Sequence, residues 1–500
     1  MNDSVKRYAR YLLVMAGLGG LIYGIDVGVI AAALPYIRNT ANYSSVELGF
    51  IVGAVLWGSV LSSLFAGSLS ELFGRKAIII ASAFCFFISI PVICASGLME
   101  GGNFILLTVG RTLQGASAGL VGVVVPMYLA ECLDSDSRGK GTGMFQLLLT
   151  IGLAFAAVIG LVVTYLVGDS DKVVNAAAVA NGVVDAHGAA DAAKITFEMV
   201  TKWVKPEQLK GWAMAWQAIF LCSAVPGLIL FLGAFRLKES PRWLYKKGRK
   251  EEALASLAAN NGEEKANEIL AEMIAADEAA AAEKAAIAQA SQGDSLIQRK
   301  YVYPFCLAVV ILACNQATGI NSVLNYTVDI FKATGMEGVF ANFSDLAIKL
   351  MNVFMTVVAC ALVDKKGRKF LLKLGTSGII LGLCGVATVF LLITKGVVAA
   401  SATTGVIATV FFFMFIAFYA VGPGVCVWLA LGAYANAHPR DRHVDSHDHQ
   451  PGRLRHDRDD FPGVEGRMGL PVRVLLPCGL HLDLLRDCRV LPARDKGQDA

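Results

Sequence analysis

The sequence predicts an all-α protein that crosses a membrane many times. Of its 500 residues, 55% are hydrophobic and only 17% are charged, whereas soluble domains carry about 25% charged residues. Apolar runs of 18 or more residues recur, and each is long enough to cross a bilayer as a helix. Lysine and arginine collect in alternate loops, which is typical of the cytoplasmic side of a membrane protein.

Ten apolar segments are predicted to span the membrane. The sequence KRYAR at residues 6–10 precedes the first of them without a small-residue cleavage site. We therefore expect an uncleaved first helix rather than a signal peptide. The ten segments are residues 11–34, 46–66, 77–97, 104–128, 144–167, 213–235, 301–331, 344–363, 370–394 and 405–431.

The basic loops set the predicted orientation. If the spans alternate in direction, all the loops rich in lysine and arginine fall on one side, which we expect to be cytoplasmic together with the N-terminus. The membrane is expected to be a plasma membrane or a bacterial inner membrane. These loops contain Lys6, Arg7 and Arg10; Arg75 and Lys76; Arg138 and Lys140; residues 236–250; and Lys365, Lys366, Arg368 and Lys369.

The spans and loops predict five regions. A cytoplasmic N-terminus (1–10) is followed by an amino-terminal transmembrane half (11–235) that contains a long outer loop (168–211). A linker (236–300), a carboxy-terminal transmembrane half (301–432) and a polar tail (433–500) complete the chain. The linker is rich in Ala, Glu and Lys, which are strong helix formers, so we expect short amphipathic helices there.

A weak internal repeat indicates that the two halves are duplicates. GSLSELFGRKAIII (67–80) and ALVDKKGRKFLLKL (361–374) both place acid-x-x-Gly-Arg-Lys at the cytoplasmic end of a span. These motifs follow the second and the eighth span, as expected for a transporter built from two six-helix repeats. Twelve spans are then expected, so the carboxy-terminal half is incomplete by two.

Several other functions find no support in the sequence. The net charge of +4 does not indicate nucleic-acid binding, and the eleven cysteines show no CxxC pair. No nucleophile–base pair, Walker sequence or metal-ligand spacing is present. We therefore expect neither an enzyme nor a protein with a metal or cofactor.

Five motifs in order resemble the sugar porter family of the major facilitator superfamily. The resemblance covers about residues 10–432. It implies a major facilitator fold and a monomer that carries a hexose or pentose across the bilayer by alternating access. The expected mode of transport is proton symport. The motifs are GRTLQGASAGLVGVVVPMYLAE (110–131), RGKGTGMFQ (138–146), ESPRWL (239–244), NQATGINSVLNY (315–326) and GPGVCVW (422–428).

The resemblance thus implies a sugar and a proton as the transported partners and the lipid bilayer as the surroundings.

Two charged residues within the predicted spans are candidates for proton coupling. Asp26 lies mid-span in YGIDVG, and Arg111 lies in span four. A charge at mid-bilayer costs roughly 2.5–3.5 kcal/mol on insertion scales, so each needs a partner. An arginine beside a carboxylate lowers its proton affinity, and separating the two lets the carboxylate take a proton. The alternative is a static pair that joins two helices. The resemblance implies coupling, because proton-driven sugar porters carry an Asp here.

Amide side chains in the spans are candidates for sugar binding. Carboxamides both donate and accept hydrogen bonds, so they suit sugar hydroxyls without a charge cost. The alternative is hydrogen bonding between helices, which is common for Asn and Gln in membranes. Two positions depart from the family pattern: Asn315 replaces a Gln, and Asn325 replaces the first Tyr of a pair. The resemblance implies sugar contacts at Gln146, Asn315, Gln316, Asn321, Asn352 and Trp428.

Charged residues at the predicted cytoplasmic helix ends are candidates for gating. In the resembled family such groups form salt bridges that close the inner side and break when it opens. The alternative is the ordinary excess of basic residues on that side. The candidates are Glu71, Arg75, Glu131, Arg138, Glu239, Arg242, Asp364 and Arg368. Gly24, Gly28, Gly115 and Gly119 are expected to allow close helix packing instead.

The composition of the tail differs from that of the rest of the chain, because the tail is rich in His, Arg and Asp. Six of the seven histidines fall in its last 68 residues, and HVDSHDH has the residue types of a metal site. The alternative that we favour is a lost reading frame near Gly432. Shifting the codons of 433–444 by one base admits Leu-Met-Pro-Thr-Arg-Ile-Arg-x-Thr-Gly-Met, which fits the family's Glu-x-x-Pro-x-x-x-Arg-x-x-Gly. The same shift of 491–500 admits Phe-Leu-Pro-Glu-Thr-Lys-Gly-Lys-Thr, which resembles the signature after span twelve.

The predicted function follows from these expectations. The encoded design is a proton-coupled monosaccharide symporter, and its rivals are a facilitative uniporter and a sugar-sensing receptor on the same fold. As written, residues 433–500 carry 11 basic and 11 acidic residues and no 18-residue apolar run. They cannot cross a bilayer, so we expect the written chain to be inactive or unstable.

Overall fold

The computed structural model describes residues 3–99, 101–133, 135–183, 195–290, 306, 310, 313–334, 336, 338–399 and 401–424. Within these residues all regular secondary structure is helical. The all-α prediction is confirmed. The tail, and Trp428 with it, lies outside the described residues.

Six long helices and two short ones form the amino-terminal half. Capping and glycine turns set their ends: Ser44 and Glu47 form a reciprocal capping box at the start of α2, and Gly74, with a φ of 95°, separates α2 from α3. The helices are α1 (Asp3–Thr40), α2 (Ser45–Phe73), α3 (Arg75–Ser96), α4 (Phe104–Cys132), α5 (Ser135–Val167), α6 (Ser170–Ala180), α7 (Phe197–Trp203) and α8 (Pro206–Ala234).

Four helices of the carboxy-terminal half are described. They are α12 (Ile320–Ala333), α13 (Gly338–Lys366), α14 (Arg368–Thr394) and α15 (Ala402–Tyr419), followed by a π-helical turn (Ala420–Gly424). Gly367 separates α13 from α14 with a φ of 79°. It occupies the same place in its acid-x-x-Gly-Arg-Lys motif as Gly74 does in the other half. The two halves therefore share this turn as well as the motif.

Nine of the described helices are long and apolar enough to cross a membrane: α1–α5, α8 and α13–α15. They match nine of the ten predicted spans. The tenth, 301–331, is described only in part and is not one continuous helix there. Helical residues 313–317 end before Gly319, whose φ of 76° breaks the helix, and α12 begins at Ile320.

Small residues let the helices of the amino-terminal half approach closely. A Cβ atom on Gly24 would meet the Leu149 carbonyl of α5, and one on Gly115 would meet the Val55 carbonyl of α2. Gly28 and Gly119 are equally tight, against Ala156 and Ser59. The prediction that these glycines serve helix packing is confirmed.

The linker forms α9 (Pro241–Lys246), α10 (Lys250–Asn261) and α11 (Glu263–Ala290). The expectation of short helices is wrong for α11, which runs for 28 residues because no Gly or Pro interrupts its Ala/Glu-rich sequence. The start of the linker is held by the amino-terminal half: Trp243 Nε1 donates to the Glu71 carbonyl oxygen at 2.8 Å.

Candidate functional site

A buried ion pair joins α1 to α4 within the amino-terminal half. Arg111 Nη1 lies 3.3 Å from Asp26 Oδ1 and donates to Gln114 Oε1 at 2.8 Å. Both charged side chains are at most 1% exposed. The guanidinium also lies over the Phe220 ring of α8, 5.6 Å from its centroid. The structure thus brings together the two residues predicted to couple a proton.

This pair is incompletely satisfied. Among the described residues, Asp26 Oδ2, Arg111 Nε and Gln114 Nε2 are buried without a hydrogen-bond partner. Burying such groups is costly unless water or a ligand completes them. A carboxylate with one free oxygen and a long contact to its arginine can accept a proton when the two separate.

The amide candidates of the carboxy-terminal half cluster around the break at Gly319. Asn315 is buried, and its Oδ1 has no partner among the described residues. Gln316 is exposed, and its Oε1 accepts from Asn321 Nδ2 at 3.0 Å across the break. The three amide residues therefore lie together at the break in the helix, with Asn315 buried and with Gln316 and Asn321 bonded to each other.

The two remaining amide candidates lie on helices that pack together across the two halves. On α5, a Cβ atom added to Gly143 would lie 3.9 Å from Cys360 Sγ of α13, and one added to Gly160 would lie 3.7 Å from Asn342 Oδ1 of α13. These contacts define an antiparallel α5–α13 register. Gln146 follows Gly143 by three residues and shares its face of α5, and the buried Asn352 lies between Asn342 and Cys360 on α13. Both side chains therefore belong to the interface between the halves.

The gating candidates meet within the amino-terminal half. Arg75 Nε and Nη2 donate to the two carboxylate oxygens of Glu131, each at 2.8 Å. Glu239 Oε1 accepts the backbone N–H groups of Arg75 and Lys76 at 2.9 and 3.1 Å. Ser240 Oγ donates to Glu131. Their closing of the inner side against the other half stays a prediction.

Two further gating candidates, Glu71 and Arg242, are not part of that cluster. The side chains of Glu71 and Arg242 are exposed. The Glu71 backbone is nevertheless used, as the acceptor for Trp243. The side chains of Arg138, Asp364 and Arg368 lie outside the described residues.

Further ion pairs, which were not predicted from the sequence, join the two halves at the end of the helices opposite to the Arg75–Glu131 cluster. Lys332 Nζ of α12 lies 2.8 Å from Asp169 Oδ1 and 2.8 Å from Asp171 Oδ2, at the start of α6. Arg38 Nη2 of α1 lies 2.8 Å from Asp329 Oδ2 of α12. We call these five residues the outer clasp. Their partners are far apart in sequence, so no local pattern pairs them.

The charges of the outer clasp keep Asp171 ionised. Burial favours the neutral acid, but Lys332 and Arg38 outweigh it and lower the pKa of Asp171 below its usual value. Asn39 Nδ2 also donates to Asp171 Oδ1 at 2.6 Å. The start of α6, in a loop for which the sequence offered no function, therefore forms ion pairs with the other half.

A second buried ion pair was also missed. Lys349 Nζ lies 2.7 Å from Asp345 Oδ2 on α13, and the two side chains are 0% and 2% exposed. The sequence did contain a signal, because an ionisable residue inside an apolar span indicates a functional site by default.

A comparison with known families decides the identity. The model of the family described as sugar (and other) transporter matches residues 12–180 and 192–444. The chain belongs to the sugar transporter family. The match extends past Gly432, where we place the loss of frame, to residue 444.

Named relatives and a solved structure agree with this membership. This sugar transporter is 27% identical to the D-xylose transporter of Levilactobacillus brevis over 84% of its own chain and 79% of that protein. It is 26% identical to the arabinose-proton symporter of Bacillus subtilis over 85% of its chain and 79% of that protein. The xylose transporter XylE of E. coli, in a partially occluded inward-open conformation, matches with a TM-score of 0.63 at 22% identity, over 86% of this chain and 88% of that one. The major facilitator fold expected from the motifs is confirmed.

Proposed function

We propose that the protein is a monomeric, proton-coupled transporter of a neutral monosaccharide, a hexose or pentose. It works by alternating access, with its N-terminus in the cytoplasm. Family membership and the relatives named for xylose and arabinose support the substrate class. The buried Asp26–Arg111 pair is the single observation that carries the coupling.

The geometry of that pair suits proton coupling. With Asp26 ionised, the pair is neutral and stable in an apolar interior. A movement of α1 against α4 that lengthens the 3.3 Å contact leaves a buried carboxylate without its counter-charge. Such a carboxylate takes up a proton, because burial disfavours its charged form. Release of the proton on the other side then restores the pair.

The sugar binds at the interface between the halves. Gln146 on α5 and Asn352 on α13 lie there, and Asn315, Gln316 and Asn321 flank the break before α12. Amides satisfy hydroxyl groups of a polyol as both donors and acceptors. Trp428 adds an apolar face for the sugar ring.

Alternation requires the contacts between the halves to break and form in turn. In this scheme the outer clasp closes the outer side. Arg75, Glu131 and Glu239, with the other charged residues at the inner helix ends, close the inner side in the opposite state. The clasp contains only ion pairs at helix ends, so it opens without unfolding a helix.

The test uses the protein expressed from a gene with the reading frame restored at codon 432, purified into proteoliposomes with radiolabelled D-xylose, D-glucose and L-arabinose. We expect sugar accumulation when the outside is acidic. Asp26→Asn should abolish accumulation while leaving exchange of sugar between two equal pools. The matched control is Asp277→Asn on linker helix α11, which should behave as the wild type.

The predicted loss of frame adds a second arm to this test. A gene with the frame restored at codon 432 should accumulate sugar, and the written chain should not. Accumulation by Asp26→Asn equal to that of the restored parent would refute the coupling and favour a facilitative uniporter. Sugar binding without exchange in the restored protein would favour the sugar-sensing receptor.

A further inference from the structure

The Asp345–Lys349 pair lies at the proposed sugar site. On α13, the buried polar residues Asn342, Asp345, Lys349, Asn352 and Thr356 recur every three or four positions and so form one face. Phe343, Leu350, Phe354 and Val357, on the other side, are 50–63% exposed. The polar face is the one that packs on α5, across the interface between the halves.

The pair lies close to a residue already assigned to the sugar. Lys349 precedes Asn352 by three residues, which is a rise of about 4.5 Å along the helix. Asp345 is one turn further toward the outer clasp, and its carboxylate interacts with the Thr327 side chain of α12. The Thr327 hydroxyl is already used, since it donates to the Val323 carbonyl oxygen at 2.6 Å.

The pair has unused hydrogen-bonding capacity. Lys349 has three N–H donors, and the ion pair uses one of them. Asp345 Oδ1 is buried and has no hydrogen-bond partner among the described residues. Removing two charges from water is costly, and an ion pair alone repays that cost poorly. A ligand that both donates to Asp345 and accepts from Lys349 would complete the site.

We infer that Asp345 and Lys349 bind two adjacent hydroxyl groups of the transported sugar and contribute to its selection. One hydroxyl donates its proton to Asp345 Oδ1, and its neighbour accepts a hydrogen bond from Lys349 Nζ. Because the pair is neutral as a unit, it selects a neutral diol over an anionic sugar acid. This inference rests on the proposed function and adds a specificity contact to it.

The test measures equilibrium binding of D-glucose and its 2-, 3-, 4- and 6-deoxy analogues to the purified protein with its reading frame restored at codon 432. We expect Asp345→Asn and Lys349→Met each to weaken glucose binding about ten-fold or more. Against the analogue that lacks the hydroxyl bound by the altered residue, the same substitution should have little effect. The analogue on which Asp345→Asn has little effect and the one on which Lys349→Met has little effect should lack hydroxyl groups at adjacent carbon positions.

Folding has to be separated from binding. The variant Asp345→Asn/Lys349→Met removes both charges, so it leaves no unpaired charge in the interior. It should fold as the wild type does and lose the dependence on both hydroxyls. Lys202→Met, on the exposed side of α7, is the matched control and should bind all five sugars as the wild type does.

Three outcomes separate the possibilities. Equal weakening of all five sugars by every variant would show a packing role and overturn the inference. Unchanged binding in the double variant would overturn it too. If the frame-restored protein bound none of D-glucose, D-xylose and L-arabinose, that result would instead refute the proposed function on which the inference depends.

Discussion

The outer clasp predicts a measurable shift in the balance between the closed and open outer side. Lys332→Met removes both of its 2.8 Å contacts, to Asp169 and to Asp171. The side chain of Lys332 is 16% exposed, and those of its partners are 10% and 13% exposed. These contacts are therefore intermediate between surface and buried ion pairs.

The expected magnitude follows from that position. At an effective dielectric constant of about 20, each contact has a gross attraction of about 6 kcal/mol, most of which offsets desolvation. Exposed pairs are worth about 0.2–1 kcal/mol, and breaking a fully buried one costs about 3–5 kcal/mol. We expect a loss of about 1–3 kcal/mol, which raises the opening equilibrium about 5- to 150-fold.

Arg38→Met supplies an internal comparison. Arg38 is 41% exposed, although its contact to Asp329 is equally short. Solvent screens this pair, so we expect an effect of at most about 1 kcal/mol, or roughly five-fold. The ranking of the two variants therefore tests whether burial sets the strength of the clasp.

Hydrogen–deuterium exchange of α6 and of the outer end of α12 measures this opening directly. When closing is fast, the ratio of exchange rates between variant and wild type equals the ratio of opening equilibria. Lys202→Met on α7 should leave these rates unchanged. Rates in Lys332→Met that match this control, or that fall below those in Arg38→Met, would refute the reasoning.

Three further predictions concern stability and pH. Arg75→Met leaves the Glu131 carboxylate without its bidentate partner and should lower the free energy of unfolding by about 3–5 kcal/mol. Denaturation in detergent measures this change, and Glu278→Gln on α11 is the control. Gly115→Ala forces a methyl group against the Val55 carbonyl and should lower the free energy of unfolding by about 1–3 kcal/mol in the same assay. Gly49→Ala is the control and should not lower it, because the space around Gly49 is open. Because the pKa of Asp171 is lowered, its stabilising effect is present above the unfolded value of about 3.9 and is lost as the pH falls through the lower folded value. Exchange of α6 should therefore stay constant from pH 8 to pH 5, after correction for the intrinsic rates, and an increase within that range would contradict the assignment.

The fold could be predicted from the sequence because a membrane-spanning segment must be long enough to cross the bilayer and must form all its backbone hydrogen bonds internally. Few structures other than a helix meet both conditions. An apolar run of sufficient length must form a helix, so nine of the ten predicted spans appear as helices. Asp26 and Arg111 could also be predicted to meet, since each is an intramembrane charge that needs a partner. The tight glycines followed from the same constraint, because helices in lipid associate through small residues.

The outer clasp could not be predicted in the same way. Lys332 and Asp171 lie at helix ends, where a charge costs little, so nothing in the sequence requires them to pair. Only the docking of the outer loop against α12 brings them together. Asp345 and Lys349 were missed for a different reason. They lie in a segment that was identified by its apolar residues alone. Since a buried charge is costly, these two charged residues should have been predicted to pair.

The two buried ion pairs have a consequence for the electrical behaviour of the transporter. Each unit, Asp26 with Arg111 and Asp345 with Lys349, carries no net charge while its acid is ionised. The empty carrier can therefore reorient without moving these charges through the membrane voltage. A proton on Asp26 adds one positive charge, on which a potential of 100 mV acts with up to about 2.3 kcal/mol. Under the proposed proton coupling, voltage should thus drive the loaded carrier inward and leave the return of the empty carrier almost unaffected.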